Sequence, residues 1–101
     1  MNNYIYIYKH DLDYCMLVLR QLIQGDYPIE NWRPKFQLLL EKLREAERVS
    51  SSYGGDDLMR VFVDRELAYS FGRVLCASGN PRCVMIGHTI IGQIDYITWM
   101  N

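Results

Sequence analysis

The chain has no excess of charge: its 101 residues carry 11 Lys and Arg against 12 Asp and Glu, a formal net charge of −1. A protein that tracks phosphates needs surplus cations to displace the counterions of nucleic acid, so nucleic-acid binding is not expected. No apolar run approaches the roughly 18–20 residues that cross a bilayer. Nor does a cationic stretch followed by an apolar one open the sequence, and neither a membrane nor a secretory role is expected. Cysteine is scarce and odd in number. Cys15, Cys76 and Cys83 lack CxxC spacing, so a disulfide framework and a zinc cluster both miss their usual pattern, and a reducing, cytoplasmic setting is the expectation. Phosphate-binding glycine patterns are missing too. Gly54-Gly55 runs into Asp56-Asp57, which repel an anion, and neither GK[ST] nor GxGxxG occurs. No cofactor is expected.

What is present is a globular composition, 50% apolar and 23% charged, in a chain long enough for one core. A single α+β domain over 1–101 is expected, with a flexible loop at 50–57 where Ser, Gly and Asp cluster. Its most informative segment is Tyr4-Ile5-Tyr6-Ile7-Tyr8. Period-2 alternation predicts a strand with three tyrosines on one side and two isoleucines on the other. Such a strand either is covered on both faces or offers its Tyr face to a partner.

Asp11 is a suitable N-cap for a first helix whose stripe is Leu12, Cys15, Met16, Leu19, Leu22 and Ile23, ending near Gln24 before Gly25 and Pro28. Asn31 and Pro34 open a second helix with an apolar face of Trp32, Phe36, Leu39, Leu40, Leu43 and Ala46. Its solvated face is predicted to hold Glu41, Arg44, Glu45, Glu47 and Arg48 in i,i+3 pairs. Residues 58–63 read as a second strand, preferred over one long helix from 57 to 78. Asp64 then caps a third helix that buries Leu67, Ala68, Phe71, Val74 and Leu75 and stops at Gly79-Asn80-Pro81. The remainder reads as two strands, 82–90 and 93–100, joined by a hairpin near Ile91-Gly92. The order is therefore βααβαββ, with a mixed sheet of about four strands covered by helices and a right-handed βαβ unit over 58–90.

For chemistry, Asp64 is the best single candidate because it follows a strand and opens a helix. A metal-dependent nuclease or phosphotransferase would need further carboxylates there, and Asp57 heads the supply with Asp56, Glu66 and Asp95. A capping role for Asp64 is the simpler reading. His10 and His88 have no spacing that pairs them with a cysteine, and mid-strand His88 reads as structural. No catalytic or metal-ligating set emerges.

Aromatic surface stands above background, with eight tyrosines and two tryptophans. Tyr gives broad contact area with few rotors to freeze, which suits interfaces. Candidate binding residues are Tyr4, Tyr6 and Tyr8 on the opening strand and Tyr53, Gly54 and Gly55 in the loop. The expectation is a non-enzymatic protein that binds another protein, such as a toxin or defence enzyme, in the manner of an inhibitor, immunity protein, antitoxin or phage counter-defence protein. Its rivals are the Asp64 metalloenzyme and a homo-oligomer, a homodimer in the simplest case, joined through the first strand.

Overall fold

The computed structural model describes residues 4–25, 32–51 and 55–100, with 96–100 as backbone alone. Three strands and four helices follow in the order β1 (Tyr4–Tyr8), α1 (Lys9–Gln24), α2 (Arg33–Arg44), β2 (Glu47–Ser50), β3 (Leu58–Phe62), α3 (Arg65–Cys76) and α4 (Pro81–Met100). The fold is α+β, but the sheet is antiparallel throughout, with strand order β1-β3-β2. The expected mixed four-stranded sheet and the βααβαββ order do not form, nor does the βαβ unit.

The predicted strands at 82–90 and 93–100 are instead one helix, α4. Val84, Ile86, Thr89, Ile90, Ile91 and Ile94, with Gly87 and Gly92, weaken intrinsic helix preference. Yet Cys83, Ile86, Ile90 and Ile94 are buried at helical spacing, so packing overrides propensity. The start signal was in the sequence: Asn80 Oδ1 accepts hydrogen bonds from the amides of Arg82 (2.9 Å) and Cys83 (3.4 Å), and Pro81 fills the first turn. Asn80-Pro81 therefore both follows α3 and opens α4.

The second correction concerns α2, which stops at Arg44, so Ala46 leaves its apolar face, though it still packs against the core, and Glu47 and Arg48 leave its polar face and join β2. All four residues of β2 are exposed, so no apolar alternation announces the strand; pairing with β3 creates it, with a bulge between Arg48 and Ser50. The third concerns the start of α1. Its N-cap is Tyr8, which makes no side-chain cap, and Asp11 lies inside the helix. Its first amides are satisfied from far along the chain: Lys9 N–H donates to the Asp57 carbonyl at 2.8 Å and His10 N–H to Asp56 Oδ1 at 3.0 Å. Gly25 ends the helix with φ −76, so it provides no left-handed turn. Asn31 falls outside the described residues.

The remaining elements form as the pattern predicts. Asp64 caps α3, its carboxylate accepting from Leu67 N–H at 2.7 Å. Leu12, Cys15 and Leu19 of α1 and Phe36, Leu39, Leu40 and Leu43 of α2 are buried, and Leu67, Ala68, Phe71 and Leu75 of α3 join them. All meet Ile5, Ile7, Met59 and Val61 on one face of the sheet. Helices α3 and α4 approach closely at two glycines. A Cβ on Gly87 would lie 2.7 Å from Gly72 O and 2.8 Å from Cys76 Sγ, and one on Gly72 would lie 2.7 Å from Ile91 Cγ1.

Gly87→Ala should therefore destabilise by about 1–3 kcal/mol through overpacking. Gly92 lies on the same helix with nothing within 4 Å of a built Cβ, so Gly92→Ala should stabilise by about 0.4–1 kcal/mol. Urea unfolding of the two variants checks both signs, and a hairpin turn at Gly92 would reverse the second.

Candidate functional site

Period-2 alternation places Tyr4, Tyr6 and Tyr8 on the sheet face opposite the core, and the β1–β3 register adds what the sequence alone did not. Phe62 stands opposite Tyr4, Arg60 opposite Tyr6 and Leu58 opposite Tyr8. On the other side of β3, Glu47 stands opposite Arg60 and Ser50 opposite Leu58. Tyr6, Tyr8 and Phe62 are 36%, 52% and 44% exposed. The signal for Phe62 and Arg60 was the alternation of 58–62 itself, whose buried members are Met59 and Val61.

Three of the rings, those of Tyr4, Tyr6 and Phe62, are connected. Tyr4 meets Tyr6 edge-on at 5.3 Å between centroids and Phe62 at 6.3 Å, geometries that aromatic quadrupoles favour. The Arg60 guanidinium carbon lies 5.4 Å from the Tyr4 ring centre and 5.9 Å from that of Phe62, within cation–π range. The adjacent Tyr6 phenol, by hydrogen bond and by charge, pushes the Tyr4 phenol above its ordinary value.

The outer edge of β1 is closed by a side chain. Gln93 of α4 accepts from Tyr6 N–H through Oε1 at 2.7 Å and donates from Nε2 to Tyr6 O at 2.7 Å. One amide thus supplies both hydrogen bonds that a neighbouring strand would make at Tyr6. This obstructs strand pairing there, which is the simplest way to join copies through the first strand. Beside it lies a groove of about 320 Å³ between β1 and α4, lined mainly by Tyr6, Tyr8, Leu58, Ile86, Ile90 and Gln93.

Among the loop candidates, Tyr53 and Gly54 lie outside the described residues. Gly55 is exposed with φ +77, a left-handed conformation that favours glycine. The hydrogen bonds that Asp56 and Asp57 accept from the first amides of α1 bring that end of the loop to the Tyr8 end of β1.

The two carboxylates of the metal reading are separated. Asp57 precedes β3 and lies 3.9 Å from Arg48, while Asp64 follows β3 and caps α3. The intervening strand sets them roughly 20 Å apart at about 3.3 Å per residue. Among the described residues no group of three or more His, Cys, Asp or Glu is placed to hold a metal ion. His10 is exposed, with Nδ1 3.2 Å from Asp56 Oδ1. His88 lies on the exposed side of α4 rather than mid-strand. Cys15 is fully buried, and burial pushes its thiol up to about 12, so it is not a ready nucleophile.

Gln93→Ala removes the two hydrogen bonds to Tyr6, each worth about 0.5–1.5 kcal/mol net, and a longer one to Thr89 O, so stability should fall by about 1–3 kcal/mol. Sedimentation velocity should then show concentration-dependent self-association that the parent chain lacks; a variant as monodisperse and as stable as the parent would show that the amide does not guard the edge. A second prediction concerns pH. Accepting the His10 backbone N–H holds the Asp56 carboxyl below its ordinary value. A depressed folded-state pKa means stabilisation that is present above the unfolded pKa and lost as pH falls through the folded one. Asp56→Ala should therefore lower Tm at pH 7, and the difference from the parent should shrink on acidification below about pH 4, as differential scanning calorimetry would register.

Comparison of the chain with protein-family models, with curated proteins and with solved structures gave no match, so any functional reading rests on the surface just described.

Proposed function

We propose that this protein is a non-enzymatic protein-binding module that engages its partner through the open face of the sheet. The observation that carries this reading is the clustering of Tyr6, Tyr8 and Phe62, all exposed, around Tyr4 and Arg60 on one side of β1 and β3. A monomer seldom leaves large apolar side chains contiguous and open to water unless the patch is used. Tyr and Arg are also the residue types that anchor protein interfaces. Much of the surface is preorganised: Tyr6 and Phe62 both pack on the Tyr4 ring and sit on hydrogen-bonded strands, so little of their side-chain entropy is lost on contact. The partner in this reading is another protein, and the mode of action is occlusion, as in inhibitors, immunity proteins, antitoxins and phage counter-defence proteins. Three free cysteines suit action in the cytoplasm.

The test is affinity capture from the native source with the parent chain and with a Tyr6→Ser, Phe62→Ser double variant, followed by mass spectrometry and measurement of Kd for the captured protein. Each substitution should weaken binding by about 1 kcal/mol or more, with far-UV circular dichroism unchanged because both side chains face solvent. Equal capture by both chains would move the interface elsewhere.

A further inference from the structure

At the centre of the open face lies a guanidinium that makes no ion pair with the described residues. Arg60 lies in the middle of β3, the central strand, and its cross-strand neighbours are Tyr6 in β1 and Glu47 in β2. Its guanidinium is drawn over the Tyr4 and Phe62 rings, toward β1 and away from β2. Lys9–Asp13, His10–Asp56, Arg48–Asp57 and Arg82–Asp11 are ion pairs among the described residues, and Arg60 takes part in none of them. Its Nε–H is buried and has no acceptor among the described residues. A buried donor without a partner is costly, and a guanidinium in an aromatic surround gains more from a counterion than one in water. The planar fork of Arg matches a carboxylate with two parallel hydrogen bonds while its face remains stacked on a ring.

Resting on the reading of this face as a protein contact, we propose that the partner presents an Asp or Glu carboxylate to Arg60, flanked by an apolar side chain that lies against Tyr6 and Phe62. Charge selects this occupant over single-stranded nucleic acid, whose bases also stack on aromatic side chains. A phosphate backbone needs a track of cations, whereas neither cross-strand neighbour of Arg60, Tyr6 or Glu47, is a second cation and the chain as a whole carries a net charge of −1. One carboxylate needs only the one guanidinium.

The experiment selects random twelve-residue peptides displayed on phage against the immobilised full chain, then measures Kd of enriched synthetic peptides by fluorescence anisotropy. Enriched sequences should share an Asp or Glu beside an aromatic or aliphatic residue. Arg60→Met should weaken them at least tenfold, with Arg60→Lys intermediate. Replacing the peptide's Glu with Gln, or its Asp with Asn, should cost as much with the parent chain and nothing further with Arg60→Met. Thermal melts of both Arg60 variants establish that they fold, and the peptide-side substitution on the parent chain tests the contact even where they do not. Peptides that enrich without an acidic residue and bind Arg60→Met equally, yet are lost in Tyr6→Ser, would overturn the carboxylate while leaving the protein-binding face in place. No enrichment, or binding indifferent to both Tyr6 and Arg60, would overturn both. Tighter binding of a twelve-nucleotide oligothymidylate, lost in Tyr6→Ser, would overturn the peptide in favour of nucleic acid.

Discussion

Because neither Gly72 nor Gly87 carries a Cβ, α3 and α4 meet at backbone distance, and the position of α4 that results governs the surfaces of this protein. Set there, α4 buries Cys83, Ile86, Ile90 and Ile94 in the core and brings Gln93 against the edge of β1. A larger residue at either glycine would push the helices apart and loosen the amide that completes the hydrogen bonding of Tyr6. Packing of α4 on α3 therefore bears on the strand edge that α4 covers.

The same arrangement separates protection from exposure within one strand. The edge of β1 is the part of a sheet most prone to indiscriminate pairing, and a side-chain amide closes it at its midpoint. The face of β1 is left open, where the contacts are side chains and selectivity comes from shape and charge. At the opposite edge, β2 is short, bulged and charged at Glu47 and Arg48, features that also discourage pairing. Both edges are guarded by different means, and the open aromatic face stands out against them.

Long-range polar contacts converge on α1 from the residues before β3 and from the start of α4. Asp56 and Asp57 satisfy its first amides, while Arg82 from α4 lies over the Tyr14 ring at 4.3 Å and donates to the His10 carbonyl at 3.2 Å. Asn80, already the cap of α4, donates to the Tyr14 hydroxyl. The start of α1 is therefore built from three separate segments. That explains why Asp11, the local cap candidate, is not used and is instead 3.7 Å from Arg82.

Elements whose signal is local were legible in the sequence. The Tyr/Ile alternation of β1, the apolar stripes of α1, α2 and α3, and the Asp64 cap each depend on residues within a few positions of one another. Grouping Tyr4, Tyr6 and Tyr8 on one side follows from the same period. What required tertiary structure was everything decided by partners far away. Residues 81–100 are rich in β-branched residues and glycine, and only burial against α3 makes them a helix. Glu47 to Ser50 have no apolar pattern, and only the ladder with β3 makes them a strand. Arg60 and Phe62 join the tyrosines through a register that spans more than fifty residues of chain, and Gln93 reaches Tyr6 across 87. Periodicity reports which side of an element is apolar; which element lies against it, and which face is left to water, is decided by packing between distant segments.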